Sequence, residues 1–468
     1  MFKGIRKFAP ALALAGALLA AGLPGGSAKA QNVPFSSGFQ VQNLESVGAN
    51  ISMAFYPEGG SNPTATVTDT IPANGQKTYA TLPQQVASGF RGSAVISSDQ
   101  PIAAIVNLVS PNLNSLSLGS AYVGVRGGSS QASLPLLFKN FFGFNTFFSV
   151  QNVGQAATTV TVTYRGAGLS SPVTQTANIQ PGASARFDQL TNTSLPNNFN
   201  GSAIVTSTGS DIAAVVTQYD ANTSLTYNGF SAGSNAPYFP LVNANNAGFI
   251  TGIPVQNLGS QPTNVTLSYT PSSAGQACTE TRTIQPGQSQ YFALNAFAAT
   301  PEQGVNETCA NGGTFIGSAR VTANSANQPL AGIVNQLNGA IKKGESYSAF
   351  DAAAATNTVV YPLIQDRIAP TLAPPNGFFT GISIVNVGTV PTTIECTFSN
   401  SSVRQTSQTI QPNGTFTVQQ LNAISAGYNG SGRCVATASG AKIVGIANQL
   451  ALGSVDTFFV YEGTNVGQ

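Results

Sequence analysis

No histidine occurs anywhere in the 468 residues. That removes Ser-His-Asp and Cys-His catalysis, His-ligated zinc and the usual general base near neutral pH. The four cysteines, Cys278, Cys309, Cys396 and Cys434, show no Cys-x-x-Cys spacing, so neither a thiolate zinc site nor a redox motif is indicated. The 16 acidic residues are scattered singly. They form no Asp-x-Asp-x-Asp calcium run, and nothing in their spacing argues for a glycosidase pair. Glu302 and Glu307 lie close in sequence and read as a solvated loop. Gly124-Val125-Arg126-Gly127-Gly128 lacks the strand–GxxxxGK–helix setting of a phosphate loop and reads as a linker. Asn-x-Ser/Thr sites such as Asn200-Gly201-Ser202, Asn264-Val265-Thr266 and Asn429-Gly430-Ser431 are what chance provides in a chain so rich in these residues. The expectation is a protein that is not an enzyme and holds no metal or cofactor.

The elements that would position any site are short strands. Charged residues make up only 7% of the chain, against roughly 25% in an average globular protein. Hydrophobic content is an ordinary 42%, with 49 Gly and 27 Pro. Val-Thr alternation between frequent turn residues points to an all-β fold without long helices. The length suggests three to four domains.

Residues 1–30 read as a signal peptide. Lys3, Arg6 and Lys7 precede an apolar run from Ala11 to Leu23, and Ala28-Lys29-Ala30 fits the small-x-small cleavage rule before Gln31. No lipidated Cys or second hydrophobic span follows, so no transmembrane anchor is expected. Removing Lys3, Arg6, Lys7 and Lys29 leaves 14 basic against 16 acidic residues, a net charge of −2. Nucleic-acid binding through a positive surface is therefore not supported.

One phrase opens four successive segments: Val41-Gln42-Asn43-Leu44, Val150-Gln151-Asn152-Val153, Val255-Gln256-Asn257-Leu258 and Ile384-Val385-Asn386-Val387. The asparagines stand 109, 105 and 129 residues apart, a domain-sized period rather than a solenoid repeat. In each segment an alternating strand follows, centred on Met53, Val162, Leu267 or Cys396. Then comes an Ile-x-Pro-Gly or Ile-Pro-x-Asn-Gly type of turn, as at Ile179-Gln180-Pro181-Gly182, where Gly or Asn accepts positive φ. A strand pair closes each segment, as in Gly92-Ser93-Ala94-Val95 with Ile102-Ala103-Ala104-Ile105-Val106. Six to eight short strands per segment fit four tandem immunoglobulin-like antiparallel β-sandwich modules, at 31–131, 132–236, 237–358 and 359–468. A propeller is disfavoured because a blade is about 40–50 residues. The expected arrangement is beads on a string.

Four cysteines in an exported chain suggest two disulfides, with three possible connectivities. Pairing within each module is favoured. Cys396 replaces Met53, Val162 and Leu267, and Cys434 is aligned with Ala94, Ala203 and Ala319, so Cys396–Cys434 is expected to cross the interior. Cys278 and Cys309 lie in segments the sister modules lack, so their bridge is expected to staple loops and leave the core alone.

Every junction carries an apolar-Pro-apolar phrase: Leu134-Pro135-Leu136, Phe239-Pro240-Leu241 and Tyr361-Pro362-Leu363. Phenylalanines cluster there too, at Phe138, Phe141, Phe142, Phe144, Phe147 and Phe148, with Phe249, Phe378 and Phe379 at later junctions. Packing between modules is the favoured reading of these rings over a sugar platform. Val33-Pro34-Phe35 repeats the phrase near the mature N-terminus. The hypothesis is that it docks on the fourth module of another molecule, around Phe458, Phe459 and Tyr461, giving a head-to-tail fibre. The competing reading makes it the first module's own first strand.

The four-fold pattern resembles bacterial exported proteins with tandem immunoglobulin-like sandwiches. The resemblance lies in architecture across the mature chain, and it implies a surface structural protein or an adhesin. The function expected is a secreted or cell-surface structural protein, self-assembling into a filament or layer. Its partners would then be itself or other surface components. The alternative is an adhesin-type array recognising glycan or protein through repeated modules.

Overall fold

The structure is a computed structural model and describes residues 35–112, 115–300, 306–310, 312–370, 376–453 and 455–467. Residues 1–30, expected to be a signal peptide, and Val33, Pro34 and Glu302 lie outside the described residues. Among the described residues all the regular elements are strands, and all the strand pairings are antiparallel.

In chain order they begin with β1 (Ser36–Asn43), β2 (Ala49–Pro57), β3 (Ala65–Ile71), β4 (Gln76–Tyr79), β5 (Gly92–Ser98), β6 (Ile102–Asn112) and β7 (Ser115–Val123). Next are β8 (Gln131–Lys139), β9 (Asn145–Asn152), β10 (Thr158–Gly166), β11 (Val173–Ile179), β12 (Ser184–Asp188), β13 (Phe199–Ser207), β14 (Ile212–Tyr219) and β15 (Ser224–Asn228). Then follow β16 (Pro237–Ala244), β17 (Ile250–Asn257), β18 (Thr263–Ala274), β19 (Cys278–Ile284), β20 (Ser289–Phe292), β21 (Asn306–Glu307), β22 (Phe315–Ala323), β23 (Leu330–Asn338), β24 (Lys343–Ser348) and β25 (Phe350–Asp351). The last are β26 (Thr358–Asp366), β27 (Phe379–Asn386), β28 (Ile394–Phe398), β29 (Arg404–Thr406), β30 (Thr415–Gln419), β31 (Tyr428–Ala436), β32 (Ile443–Leu450), β33 (Phe458–Glu462) and β34 (Thr464–Asn465).

The sheets come in successive sandwich-like pairs. One member of each ends in β7, β15, β24 or β33, in the orders β4-β1-β6-β7, β12-β9-β14-β15, β20-β17-β23-β24 and β30-β27-β32-β33. We call these the hub sheets. The far sheets run β3-β2-β5, β11-β10-β13-β8, β21-β19-β18-β22-β16-β25 and β29-β28-β31-β26-β34. Strict alternation works as the sequence implies: in β10, Val160, Val162 and Tyr164 are buried and the threonines between them are not.

The repeated asparagine organises each pair. Asn152 Nδ2 donates to Ala156 O (2.7 Å) and Ile179 O (3.0 Å), and its Oδ1 accepts from Gly154 N (3.0 Å). Asn43, Asn257 and Asn386 repeat the pattern on their own loops. One buried amide thus ties the loop after the first hub strand to the Ile-Pro turn. In that turn Asn74, Gly182, Gly287 and Asn413 have φ of 51°, 74°, 71° and 65°, the left-handed region where Gly and Asn cost least.

The chain is not beads on a string. β7 packs on β15, β15 on β24, β24 on β33, and β33 returns to β7, so the sheet pairs close into a ring. A second set of contacts follows the same cycle. Ser93 Oγ donates to Gly182 O (2.7 Å), Ser202 Oγ to Gly287 O (2.8 Å) and Ser318 Oγ to Asn413 O (2.8 Å), while Ser431 Oγ donates to Gln76 Oε1 (3.3 Å) to close it. Each far sheet therefore docks a Gly-Ser phrase on the Pro turn of the next pair. Apolar cores also run across the seams: Ile105 and Ala121 of the first pair belong to the core of the fourth.

Candidate functional site

At the hub, four sheet edges meet side by side without joining into one ladder. Edge strands expose unpaired N–H groups, which are costly once buried. Here acidic side chains take them up. Glu345, on β24, accepts from Ala121 N (2.9 Å) on β7, Thr226 N (2.7 Å) on β15 and Ser346 N (2.8 Å). Asp456 accepts from Ser224 N (2.8 Å) and Gly344 N (3.2 Å), and Glu462 accepts from Ser348 N. All three sit where burial raises the carboxyl above its ordinary range, the backbone donors pulling the other way. Lys343, also buried, donates to Val455 O and to Thr457 Oγ1 (2.6 Å), and desolvation lowers it to about 8. Ser120 Oγ and Thr226 Oγ1 (2.7 Å) add a hydroxyl contact between β7 and β15. The hub carboxylates already accept backbone hydrogens and lie beneath packed strands, so the arrangement fastens strands rather than presenting a base to a substrate.

A second buried ionic cluster lies in the third pair. Arg282 reaches Glu280 and, at 3.0 Å, Glu307. Tyr269 Oη (3.0 Å) and Ala293 N (2.8 Å) also donate to Glu280, and Asn295 Nδ2 donates to Glu307 (2.8 Å). Burial pushes Glu280 up to about 7, against the pull of Arg282. Glu307 is therefore not in a solvated loop: its side chain is 2% exposed. The sequence distance between Arg282 and Glu307 hid their contact. Among the described residues no group of three or more His, Cys, Asp or Glu side chains could hold a metal ion.

Both expected disulfides form. Cys396 and Cys434 are direct partners on the neighbouring strands β28 and β31, with Cα atoms 4.0 Å apart. The bridge therefore lies within one sheet, on its buried face, and does not cross to the opposite sheet. Gly432, not Cys434, occupies the position of Ala94, Ala203 and Ala319: it stands opposite Phe398 as they stand opposite Phe55, Tyr164 and Tyr269. Cys434 accordingly matches Ile96, Val205 and Val321, and a two-residue shift preserves the inward face. Cys278–Cys309 ties the segment after β21 to β19, but both residues are buried in the third pair's main core, so this staple is also a core element.

The residues expected to assemble molecules are used within the chain. Phe458 packs on Phe249 (5.4 Å between rings), and Phe459 lies against Gly119 of the first pair, where a Cβ would come within 2.5 Å of its ring. Tyr461 Oη donates to Leu363 O. All three are buried. Phe35 is partly buried, its ring 6.1 Å from Phe147. Of the junction rings, Phe138, Phe144 and Phe148 are core, and Phe142 is the exposed one.

No family model and no curated protein matches the sequence. Among solved structures, one titled "Crystal Structure of Thermotoga maritima 1070" aligns with 22% of this chain and 96% of its own, at 18% identity and a TM-score of 0.20. The disulfides fit an oxidising compartment outside the cytoplasm. No helix among the described residues is long and apolar enough to cross a membrane.

Proposed function

We propose that the chain is an exported, cell-surface or extracellular structural protein, built as a closed block of four immunoglobulin-like modules and associating with its own kind. Residues 1–30 act as the signal peptide, and the modules follow the boundaries 31–131, 132–236, 237–358 and 359–468. The observation that carries the reading is the hub. Glu345, Asp456 and Glu462 are committed to backbone hydrogens that join sheet edges, so their buried carboxyl groups serve cohesion. The low charge density, with many amides and hydroxyls, suits close packing of like subunits. The architectural likeness to exported tandem-sandwich proteins supports the same role.

Cell fractionation with thiol labelling tests it. The protein should appear in the surface or medium fraction with its cysteines unreactive until reduced, and negative-stain images of that fraction should show ordered assemblies. Recovery in the cytoplasm with four reactive thiols would sink the proposal.

A further inference from the structure

The first sheet pair differs from the others by one strand. β8, β16 and β26 border β13, β22 and β31 in their far sheets, and each inserts its apolar-Pro-apolar phrase into the core. In the first pair the far sheet is β3-β2-β5, and among the described residues nothing pairs with the other edge of β5. Side chains beneath the gap register the loss. Ala94 is exposed, whereas Ala203 and Ala319, its counterparts, are each 1% exposed. Ile96, Ala104 and Val106 are only partly buried, where Val205, Ala214 and Val216 are buried.

A tyrosine marks the same gap independently. Tyr227 Oη donates to Leu136 O (2.6 Å) and accepts from Leu136 N (3.2 Å), clamping the residue after Pro135. Tyr347 clamps Leu241 after Pro240, and Tyr461 clamps Leu363 after Pro362, in the same way. These tyrosines stand opposite Val216, Val334 and Ala447 on the neighbouring hub strand. Tyr122 holds that position in the first pair, opposite Val106. Among the described residues its hydroxyl has no hydrogen-bond partner.

We infer that the β5 edge and Tyr122 form an acceptor for an extended strand from a second copy of this chain, the segment around Val33-Pro34-Phe35. The three filled sites define the occupant: an antiparallel strand with apolar residues flanking a proline, whose following residue meets the tyrosine. Val33-Pro34-Phe35 carries that phrase. It cannot reach the site in its own molecule. Ten positions separate Pro135 from Asn145 and Pro240 from Ile250, and seventeen separate Pro362 from Phe379, leaving room for a turn between sheets. Pro34 is only two positions from Ser36, where β1 begins. Two extended residues span about 7 Å at most, less than the roughly 10 Å between facing sheets. Farther upstream, Gly22–Ala30 offers one large apolar side chain, Leu23, too little to fill the groove. A second copy has no such limit, and strand addition supplies main-chain hydrogen bonds together with side-chain burial.

The inference deepens the reading of a self-associating protein by naming the contact, and it is tested in solution independently of cellular location. Sedimentation velocity on the oxidised chain beginning at Gln31 should show a mass that rises with concentration to at least twice the protomer. Ala94→Glu, at a position exposed in the unfilled state, should remain a protomer, as should a chain lacking Gln31–Pro34. The first variant keeps the donor and the second keeps the acceptor, so mixing the two should restore association. Hydrogen exchange at β5 should be slow in associated wild type and in the mixture, and fast in either variant alone. A wild-type chain that stays a protomer, variants that associate like wild type, or a mixture that stays unassociated would each overturn the inference. Persistence of surface assemblies with Ala94→Glu would defeat this contact while leaving the structural role standing.

Discussion

The second and third sheet pairs place different chemistry in one equivalent position. Gln175 lies opposite Val162 in the second, and Glu280 lies opposite Leu267 in the third. Around Gln175 the network is neutral: Tyr164 Oη (3.0 Å) and Asn192 Nδ2 (3.3 Å) donate to its Oε1, and its residue is partly exposed. Around Glu280 the edge strand β21, held by Cys278–Cys309, covers the sheet and leaves the carboxyl fully buried. A buried carboxylate is tolerated where a cation and hydrogen-bond donors accompany it. The extra segment of the third pair therefore brings cover and charge together, while the second pair, without cover, keeps an amide.

The strongest way to break the contrast is Arg282→Met, which leaves Glu280 and Glu307 without their cation. Denaturant unfolding at pH 8 should show a loss of about 3–5 kcal/mol in the unit containing the third pair. The loss should depend on pH in a definite direction. A carboxyl raised from 4.5 to about 7 contributes stability fully below its unfolded pKa, and that contribution is lost as pH rises through about 7. The deficit of Arg282→Met should accordingly be smaller at pH 5 than at pH 8, and equal deficits would refute the assignment to Glu280.

Replacing Cys278 and Cys309 together by serine comes next, with an expected cost of about 2–4 kcal/mol. Hydrogen exchange should accelerate first around β19 and β21, with the second pair unchanged. The smallest effect sharpens the comparison from the other side. Gln175→Glu places a carboxyl in the second pair with no arginine counterpart, and about 1–3 kcal/mol should be lost at pH 8 and largely regained at pH 5. A cost-free substitution would show that the arginine is not what permits a carboxylate in this position.

Much of the local structure could be read from residue types. The asparagines at 43, 152, 257 and 386 announced the repeat because one side-chain geometry serves the same loop four times. The alternating strands and Pro turns followed from period-two burial and positive φ. The ring was not legible, because its serine contacts end on backbone carbonyls, its acidic side chains end on backbone N–H groups, and the apolar residues that cross its seams follow the same period-two pattern as those that stay within one pair. Glu345, Asp456 and Glu462 were passed over because their partners are backbone N–H groups with no sequence signature. One signal was available for Glu462 alone, since a charge that closes the apolar run Phe458-Phe459-Val460-Tyr461 stands out when only 7% of residues are charged. Cys434 was misplaced by two because Gly430 and Gly432 both open a plausible match to the same phrase.

Closure also changes what a break in the chain would do. Each sheet pair touches two neighbours, and the contact from the fourth to the first needs no peptide link. A protease cut in any one connecting segment would leave all pairs held at high effective concentration by the remaining links and by both flanking interfaces. The nicked protein should migrate as an intact particle under native conditions, separating into fragments only when unfolded. Resistance to wear of this kind comes from the circuit of contacts rather than from the strength of any one of them.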